Sequence, residues 1–204
     1  RCLKMKILAT ADIHGSQYRL NIVIKNIEKY SPDLVIICGD ITQFGPGELA
    51  KNFLNQIPTE TLAITGNIDT PDVSKAINDS KAINIEIKKV VKNGFSFIGI
   101  DEKELQDLKN FNEKKLLNQK SILVSHKPPY GIQDKIFLGM HGGSKELRDI
   151  IEKFKPCLVL CGHIHEDPGF TKTKETIVVN CSMGKRGEGA LVEINKNISV
   201  KMLD

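Results

Sequence analysis

No stretch of the chain approaches the roughly 20 consecutive apolar residues that span a bilayer, so a membrane-spanning helix is not expected. Like charges never run to five in a row, and 29 basic against 25 acidic residues leave a net charge of only +4. So mild and dispersed an excess gives no reason to expect nucleic acid or an anionic membrane as partner. Tryptophan is absent and aromatic residues are few, while 40% apolar and 26% charged residues are ordinary for a soluble globular protein. The five cysteines are an odd number without CxxC spacing. Cys38 and Cys161 lie inside apolar runs and read as small hydrophobes in a reducing compartment. The opening RCLKMKIL lacks the basic start, apolar centre and small-residue cleavage site of a signal peptide. Met5 reads as the natural start, and residues 5–204 are expected to form a single cytoplasmic domain, without repeats or a low-complexity linker.

What is present is an alternation of short apolar runs and helical spacings. KILATA (6–11), DLVIIC (33–38) and TLAIT (61–65) are strand-like. Between them, Leu20, Val23, Ile24 and Ile27 recur at helical intervals behind Ser16, a candidate N-cap, and Leu49, Ala50, Phe53, Leu54 and Ile57 do the same. A shorter helix is expected after Pro71. Residues 85–100 read as two strands turning at Asn93-Gly94, a dipeptide suited to tight hairpins. The polar segment 101–119 reads as a solvent-facing helix. SILVS (121–125) and CLVLC (157–161) are further strands, separated by a helix through Leu147, Ile150, Ile151 and Phe154 with Ser144 near its start. Three strand-like runs close the chain, ETIVVN, GALVEI and ISVKML. The order predicts a mixed α/β fold with βαβ units first, an antiparallel meander at the end, and helices on both faces.

Residues able to bind a metal stand just past these runs. They are Asp12 and His14, then Asp40, Asn67, His126, and finally His163 and His165 in CGHIHE. In open α/β sheets the carboxyl ends of parallel strands share one edge, where ligands bind, so positions from 12 to 165 can converge. Singly, each has a plainer reading. Asp12-Ile13-His14 suits an Asx turn, Gly39-Asp40 a strand ending and Gly66-Asn67 a left-handed turn. Together they hold four of the chain's five histidines. His163 and His165 either share one face of an extended strand or diverge around a tight turn.

The succession ADIHG, CGDIT, GNID, SHKPPYG and CGHIHE resembles the calcineurin-like metallophosphoesterase superfamily from residue 7 to 165. The resemblance implies a four-layer α/β/β/α sandwich of two mixed sheets and a site for two divalent metal ions, with Mn favoured and Fe, Ni, Co or Zn as alternatives. Asp12, His14 and His165 would hold one ion, Asn67, His126 and His163 the other, and Asp40 would bridge them. The implied activity is hydrolysis of a small phosphorylated substrate by a metal-bridging hydroxide attacking phosphorus. Asp40, Asn67 and His126 would then act in catalysis through the metals and the phosphate.

The chain departs from the family where many members read Gly-Asn-His-Asp/Glu, for Ile68 stands here and cannot donate a proton. That favours phosphodiesters over phosphomonoesters. Asp69 reads either as an acceptor orienting a ligand histidine or as a turn residue. His141 is a candidate replacement acid on a Gly-rich loop, or an exposed loop histidine. Gly142 and Gly143 precede a helix whose amides could face an anion, and Lys185 and Arg186 could reach a phosphate from a late turn. Two other activities compete. A nuclease would resemble the double-strand-break repair enzymes, whose added capping regions 204 residues leave little room for. A non-catalytic scaffold, like the retromer subunit of this fold, would not need all seven ligand positions.

Overall fold

The computed structural model describes residues 4–100 and 117–204. Its strands form two six-stranded sheets. The first contains β1 (Met5–Thr10), β2 (Leu34–Cys38), β3 (Thr61–Ile64), β4 (Ile83–Asn84), β11 (Ala190–Ile194) and β12 (Ile198–Met202), in the order β12-β11-β1-β2-β3-β4. The second contains β5 (Lys89–Lys92), β6 (Phe95–Ile100), β7 (Ser121–Ser125), β8 (Leu158–Cys161), β9 (Gly169–Lys172) and β10 (Ile177–Asn180), in the order β5-β6-β7-β8-β10-β9. Four helices are described: α1 (Gln17–Tyr30), α2 (Gly47–Gln56), α3 (Pro71–Asn78) and α4 (Lys145–Phe154).

The central strands β2 (LVIIC) and β8 (LVLC) are apolar at every position because both faces are covered. Ile7, Ala9, Ile36, Cys38, Leu62 and Ile64 face Phe97, Ile122, Val124, Leu158, Leu160 and Val179 across the gap between the sheets. The alternate residues Leu8, Val35, Ile37 and Ala63 turn outward onto Leu20, Val23, Ala50, Phe53, Val73 and Ile77 of α1–α3. On the far side Leu123, Val159 and Val178 pack against Leu147 and Ile151 of α4. Helices therefore cover one face of each sheet rather than both, and the sheets cover each other. This is the four-layer arrangement. Ser16 and Ser144 cap α1 and α4 as expected, accepting from the amides of Arg19 and Leu147.

The central strands set the position of everything that follows. β1, β2, β3 and β4 run parallel, as do β6, β7, β8 and β10. The carboxyl ends of β1, β2 and β3 therefore open on one edge, and those of β7, β8 and β10 on one edge of the second sheet. The edges are joined where Ala11 bridges Ser182 and the Met183 amide donates to the Ala11 carbonyl.

The closing runs do not form a meander. ETIVVN becomes β10 and pairs parallel with β8, whereas β11 and β12 form a hairpin on the other sheet. Apolar runs of this length carry no mark of which sheet they join. The strand expected from residue 85 is also displaced. β4 ends at Asn84, and β5 begins at Lys89, turning at Asn93-Gly94 into β6 as the dipeptide predicts. The helix expected over 101–119 falls almost wholly outside the described residues.

Between β4 and β5, Glu86 ties the first sheet to the loop after β3. Its Oε1 accepts from the Thr65 amide at 2.7 Å and the Thr65 hydroxyl at 2.5 Å, and its Oε2 from the Ser74 hydroxyl at 2.8 Å. Burial pushes the carboxyl up, but the bonds from Thr65, Ser74 and Asn84 outweigh it and hold it below its ordinary 4.5. A carboxylate lowered on folding stabilises above its unfolded value and loses that stabilisation as pH falls through the folded one. Glu86→Gln is therefore expected to cost about 1–2 kcal/mol at neutral pH, measured by urea denaturation. The deficit should shrink in acid; a deficit independent of pH would contradict this role.

Candidate metal centre

Each apolar strand stops at a turn that aims a polar side chain back over the sheet edge. These turns require an unusual backbone. Asp12, His14, Asp40 and His163 all adopt positive φ, at 63°, 53°, 51° and 68°, a conformation uncommon outside glycine and concentrated at functional sites. Glycines allow the turns to crowd together. A Cβ on Gly66 would lie 2.0 Å from Asp40 Oδ1, and one on Gly162 would lie 2.3 Å from Ala11 Cβ. Backbone bonds stitch the first two turns, from the Asp12 amide to the Gly39 carbonyl (3.1 Å) and the His14 amide to the Asp40 carbonyl (2.9 Å).

The side chains converge in two groups. In the first, the Nε2 atoms of His14 and His165 are 3.2 Å apart, and Asp12 Oδ1 lies 3.8 Å and 3.4 Å from them. In the second, His126 Nε2 is 2.9 Å from Asn67 Oδ1, 3.2 Å from His163 Nδ1 and 3.2 Å from Asp40 Oδ2. Ligand atoms of Asp12, Asp40 and His126 also lie within 4.8 Å of one another, which joins the groups. The seven positions expected from sequence are thus brought together. His163 and His165 diverge around the turn after β8, one into each group, with Ile164 buried between them.

The donor set fits a divalent cation. Imidazole, carboxylate and amide oxygen suit first-row transition metals, and His126 Nδ1 lies 2.8 Å from the Cys38 carbonyl, which leaves Nε2 free to ligate. Asp12 Oδ1 and His14 Nδ1 are buried polar atoms without a hydrogen-bond partner. Buried orphan atoms are rare and call for an explanation.

The electrostatics point the same way. Burial pushes the Asp12 carboxyl up, but the His165 imidazole, the His126 charge and the Ser182 hydroxyl outweigh it and bring it to about 2. Burial lowers His126, yet neighbouring Asp40 and then Asp12 raise it to about 8. Burial, followed by the charges of His126 and Lys127, pushes His163 down to about 4. His14 is lowered chiefly by burial, while the adjoining Asp12 carboxylate raises His165. In each group one imidazole is held up and its neighbour down, so protons alone do not serve both nitrogens.

Other expected residues sit elsewhere. Asp69 orients no ligand histidine. Its Oδ1 accepts from the Thr42 amide and hydroxyl, both at 2.8 Å, and its Oδ2 from the amides of Ile41 and Gly66, both at 3.0 Å. It clamps the Asp40 loop to the Asn67 loop, and burial raises its carboxyl. The Gly142 and Gly143 amides are not free for a bound anion, because they donate to the Asp134 carbonyl and Oδ2 at 2.9 Å and 3.0 Å. Lys185 pairs with Glu166 at 3.3 Å and Arg186 is exposed. His141 belongs to neither group; its Nδ1 lies 2.6 Å from Asp134 Oδ1. Sequence reasoning missed Arg19, whose guanidinium donates to the Asp12 carbonyl at 2.6 Å and the Gly184 carbonyl at 2.8 Å. Both partners are main-chain oxygens, which leave no motif.

Comparison with known proteins places the chain among phosphoesterases. A sequence model of the calcineurin-like phosphoesterases matches residues 5–167. The chain is 34% identical to an uncharacterised protein of Methanocaldococcus jannaschii, covering 87% of this chain and 88% of that one. It is 30% identical to a probable glycerophosphodiester phosphodiesterase of Arcobacter nitrofigilis, over 76% of this chain and 64% of that one, less than two thirds of the relative's length. Among solved structures, an archaeal phosphodiesterase superposes with a TM-score of 0.61 at 16% identity, covering 98% of this chain and 100% of the other.

The Asp69 clamp generates a prediction. In Asp69→Asn the amide nitrogen would meet N–H groups where an oxygen now accepts, leaving donors unsatisfied. A loss of about 2–4 kcal/mol is expected by chemical denaturation, together with weaker Mn²⁺ retention in equilibrium dialysis. Unchanged stability would contradict the clamp.

Proposed function

The chain belongs to the calcineurin-like phosphoesterase family, and from that premise we propose that it hydrolyses a small phosphorylated substrate, a phosphodiester ahead of a monoester, at a two-metal centre. Asp12, His14 and His165 would hold one divalent ion and Asn67, His126 and His163 the other, with Asp40 between them. The observation that carries this reading is the buried, unpartnered Oδ1 of Asp12 facing two imidazole nitrogens.

Two divalent ions at such a centre polarise a phosphoryl group and lower the pKa of bound water. The chain's own contribution is to fix charge and geometry. Two aspartates bring two formal negative charges against four from the ions, so the loaded site stays positive and attracts phosphate. The His126 ring is held by the Cys38 carbonyl, and Asn67 adds a neutral oxygen at the exposed side of the site. Mn is the first choice of metal, with Fe, Ni, Co or Zn compatible with the same donors.

The preference for diesters rests on Ile68, which cannot protonate a leaving group, and on the likeness to a probable glycerophosphodiester phosphodiesterase of Arcobacter. We read residues 5–204 as one domain working in a reducing, cytoplasmic setting. The described cysteines Cys38, Cys157, Cys161 and Cys181 are all free, which supports that setting. No helix among the described residues is long and apolar enough to cross a membrane.

The test is hydrolysis of an aryl phosphodiester and an aryl phosphomonoester by chelator-stripped protein, with and without Mn²⁺. Activity should require metal and favour the diester. Asp40→Asn should lower it by at least about 100-fold, since residues that merely support metal ligands are worth 10–100-fold. Turnover that survives both metal removal and the substitution would overturn the reading.

A further inference from the structure

One buried carboxylate is left unused by the metal centre. Asp134, wholly buried, lies in the loop between β7 and α4. Its Oδ2 accepts from the Gly131 amide at 2.9 Å and the Gly143 amide at 3.0 Å, and its Oδ1 faces His141 Nδ1 at 2.6 Å. A short nitrogen–carboxylate contact of this kind makes Nδ1 the protonated nitrogen of His141. Nε2 is then the nitrogen available to a substrate. The Tyr130 ring lies 5.2 Å from the imidazole, and the His141 side chain remains one-third exposed. The ring is held by Asp134 and remains partly open to solvent.

The loop carrying this pair is fastened to the segment that bears His163 and His165. Asn180 Nδ2 donates to the carbonyls of Gln133 (3.3 Å), Ile164 (2.8 Å) and Asp167 (3.0 Å). The Lys135 amide donates to Asp167 Oδ2 at 3.0 Å. Gly142, next to His141, packs so closely that a Cβ there would meet Ile164 Cδ1 at 3.0 Å. The backbone next to His141 thus lies against the residue that separates the two histidines. It is also the one histidine of the chain's five not assigned to a metal.

We propose that Asp134 and His141 form the proton-donating pair of the hydrolysis, an inference that rests on the phosphoesterase reading above. His141 is the catalytic acid and Asp134 its positioning residue, an arrangement in which a carboxylate fixes the tautomer and stabilises the imidazolium. As the phosphorus–oxygen bond to the leaving group breaks, its electron pair stays on the leaving oxygen. The imidazolium form of His141, its Nδ1–H held by Asp134, gives its Nε2 proton to that oxygen, while the water-derived nucleophile makes the new phosphorus–oxygen bond. The neutral imidazole then regains its proton from solvent. The pair extends the substrate range to esters with poor alkoxide leaving groups, which Ile68 would otherwise put out of reach.

The experiment compares an aryl phosphodiester, whose leaving group needs no proton, with an alkyl phosphodiester, whose leaving group does. His141→Asn keeps an N–H for Asp134 but cannot transfer a proton. It should raise the aryl-to-alkyl ratio of kcat by about 100-fold or more, and Asp134→Asn should shift the ratio in the same direction by about 10-fold. In the metal-free protein, imidazole ¹⁵N shifts should report His141 protonated at Nδ1, with the preference lost in Asp134→Asn. An equal fall on both esters, no fall on either, or no Nδ1 preference in the wild type would overturn the inference. Failure of the metal-loaded wild type on the aryl ester would instead overturn the phosphoesterase reading, and the acid role with it.

Discussion

Two carboxylates, Asp12 and Asp40, are buried at 0% and 3% exposure where the edges of two sheets meet. Burying an ionised carboxylate costs several kcal/mol unless opposite charge and hydrogen bonds compensate. For Asp12 the neighbouring imidazoles and the Ser182 hydroxyl outweigh that cost, but not every oxygen finds a hydrogen-bond donor. Asp12 Oδ2 accepts from the His163 amide at 3.0 Å and Asp40 Oδ1 from the Ile68 amide at 3.1 Å, but Asp12 Oδ1 is left facing imidazoles with which it makes no hydrogen bond. A cation there would give that oxygen a partner. Ligand positions, strained turns and close-set glycines are all consistent with a fold arranged around that requirement.

Strain of this kind persists only where its surroundings hold it. Four of the candidate ligand residues sit at positive φ, and the loops of Asp12, Asp40 and Asn67 are braced by residues that touch no candidate ligand side chain. Asp69 ties the Asp40 loop to the Asn67 loop through four N–H and O–H donors. Arg19 spans from the Asp12 carbonyl to that of Gly184, linking the first turn of α1 to the late loop. Glu86 anchors Thr65, two residues before Asn67. The braces are rigid, short and mostly directed at main-chain groups. They give side chains from distant parts of the sequence a common frame, which a metal site requires more than any single ligand does.

Much of this was legible in the chain, for physical reasons. Strands buried on both faces read as unbroken apolar runs, and ligands at their carboxyl ends stand out because they interrupt those runs at the same point each time. That regularity identified all seven converging residues and, with the family resemblance, the four-layer fold. What was not legible depended on partners that leave no pattern. Nothing in ETIVVN states that it joins β8 rather than β11, since either sheet offers an apolar surface. For Asp69 the sequence leaves open a support for histidine or a turn residue, because its backbone amide partners cannot be seen in side-chain spacing. Asp134 and His141 lie in a loop without periodicity, so the histidine was visible as a candidate and its carboxylate was not.

The central claim, that these seven side chains hold two ions, is tested most directly by diffraction from crystals grown with Mn²⁺, using the anomalous signal of the metal. The account predicts two peaks about 3.5–4 Å apart, one bounded by Asp12, His14 and His165, the other by Asn67, His126 and His163, with Asp40 reaching both. A single peak, or metal bound anywhere but among these residues, would contradict it.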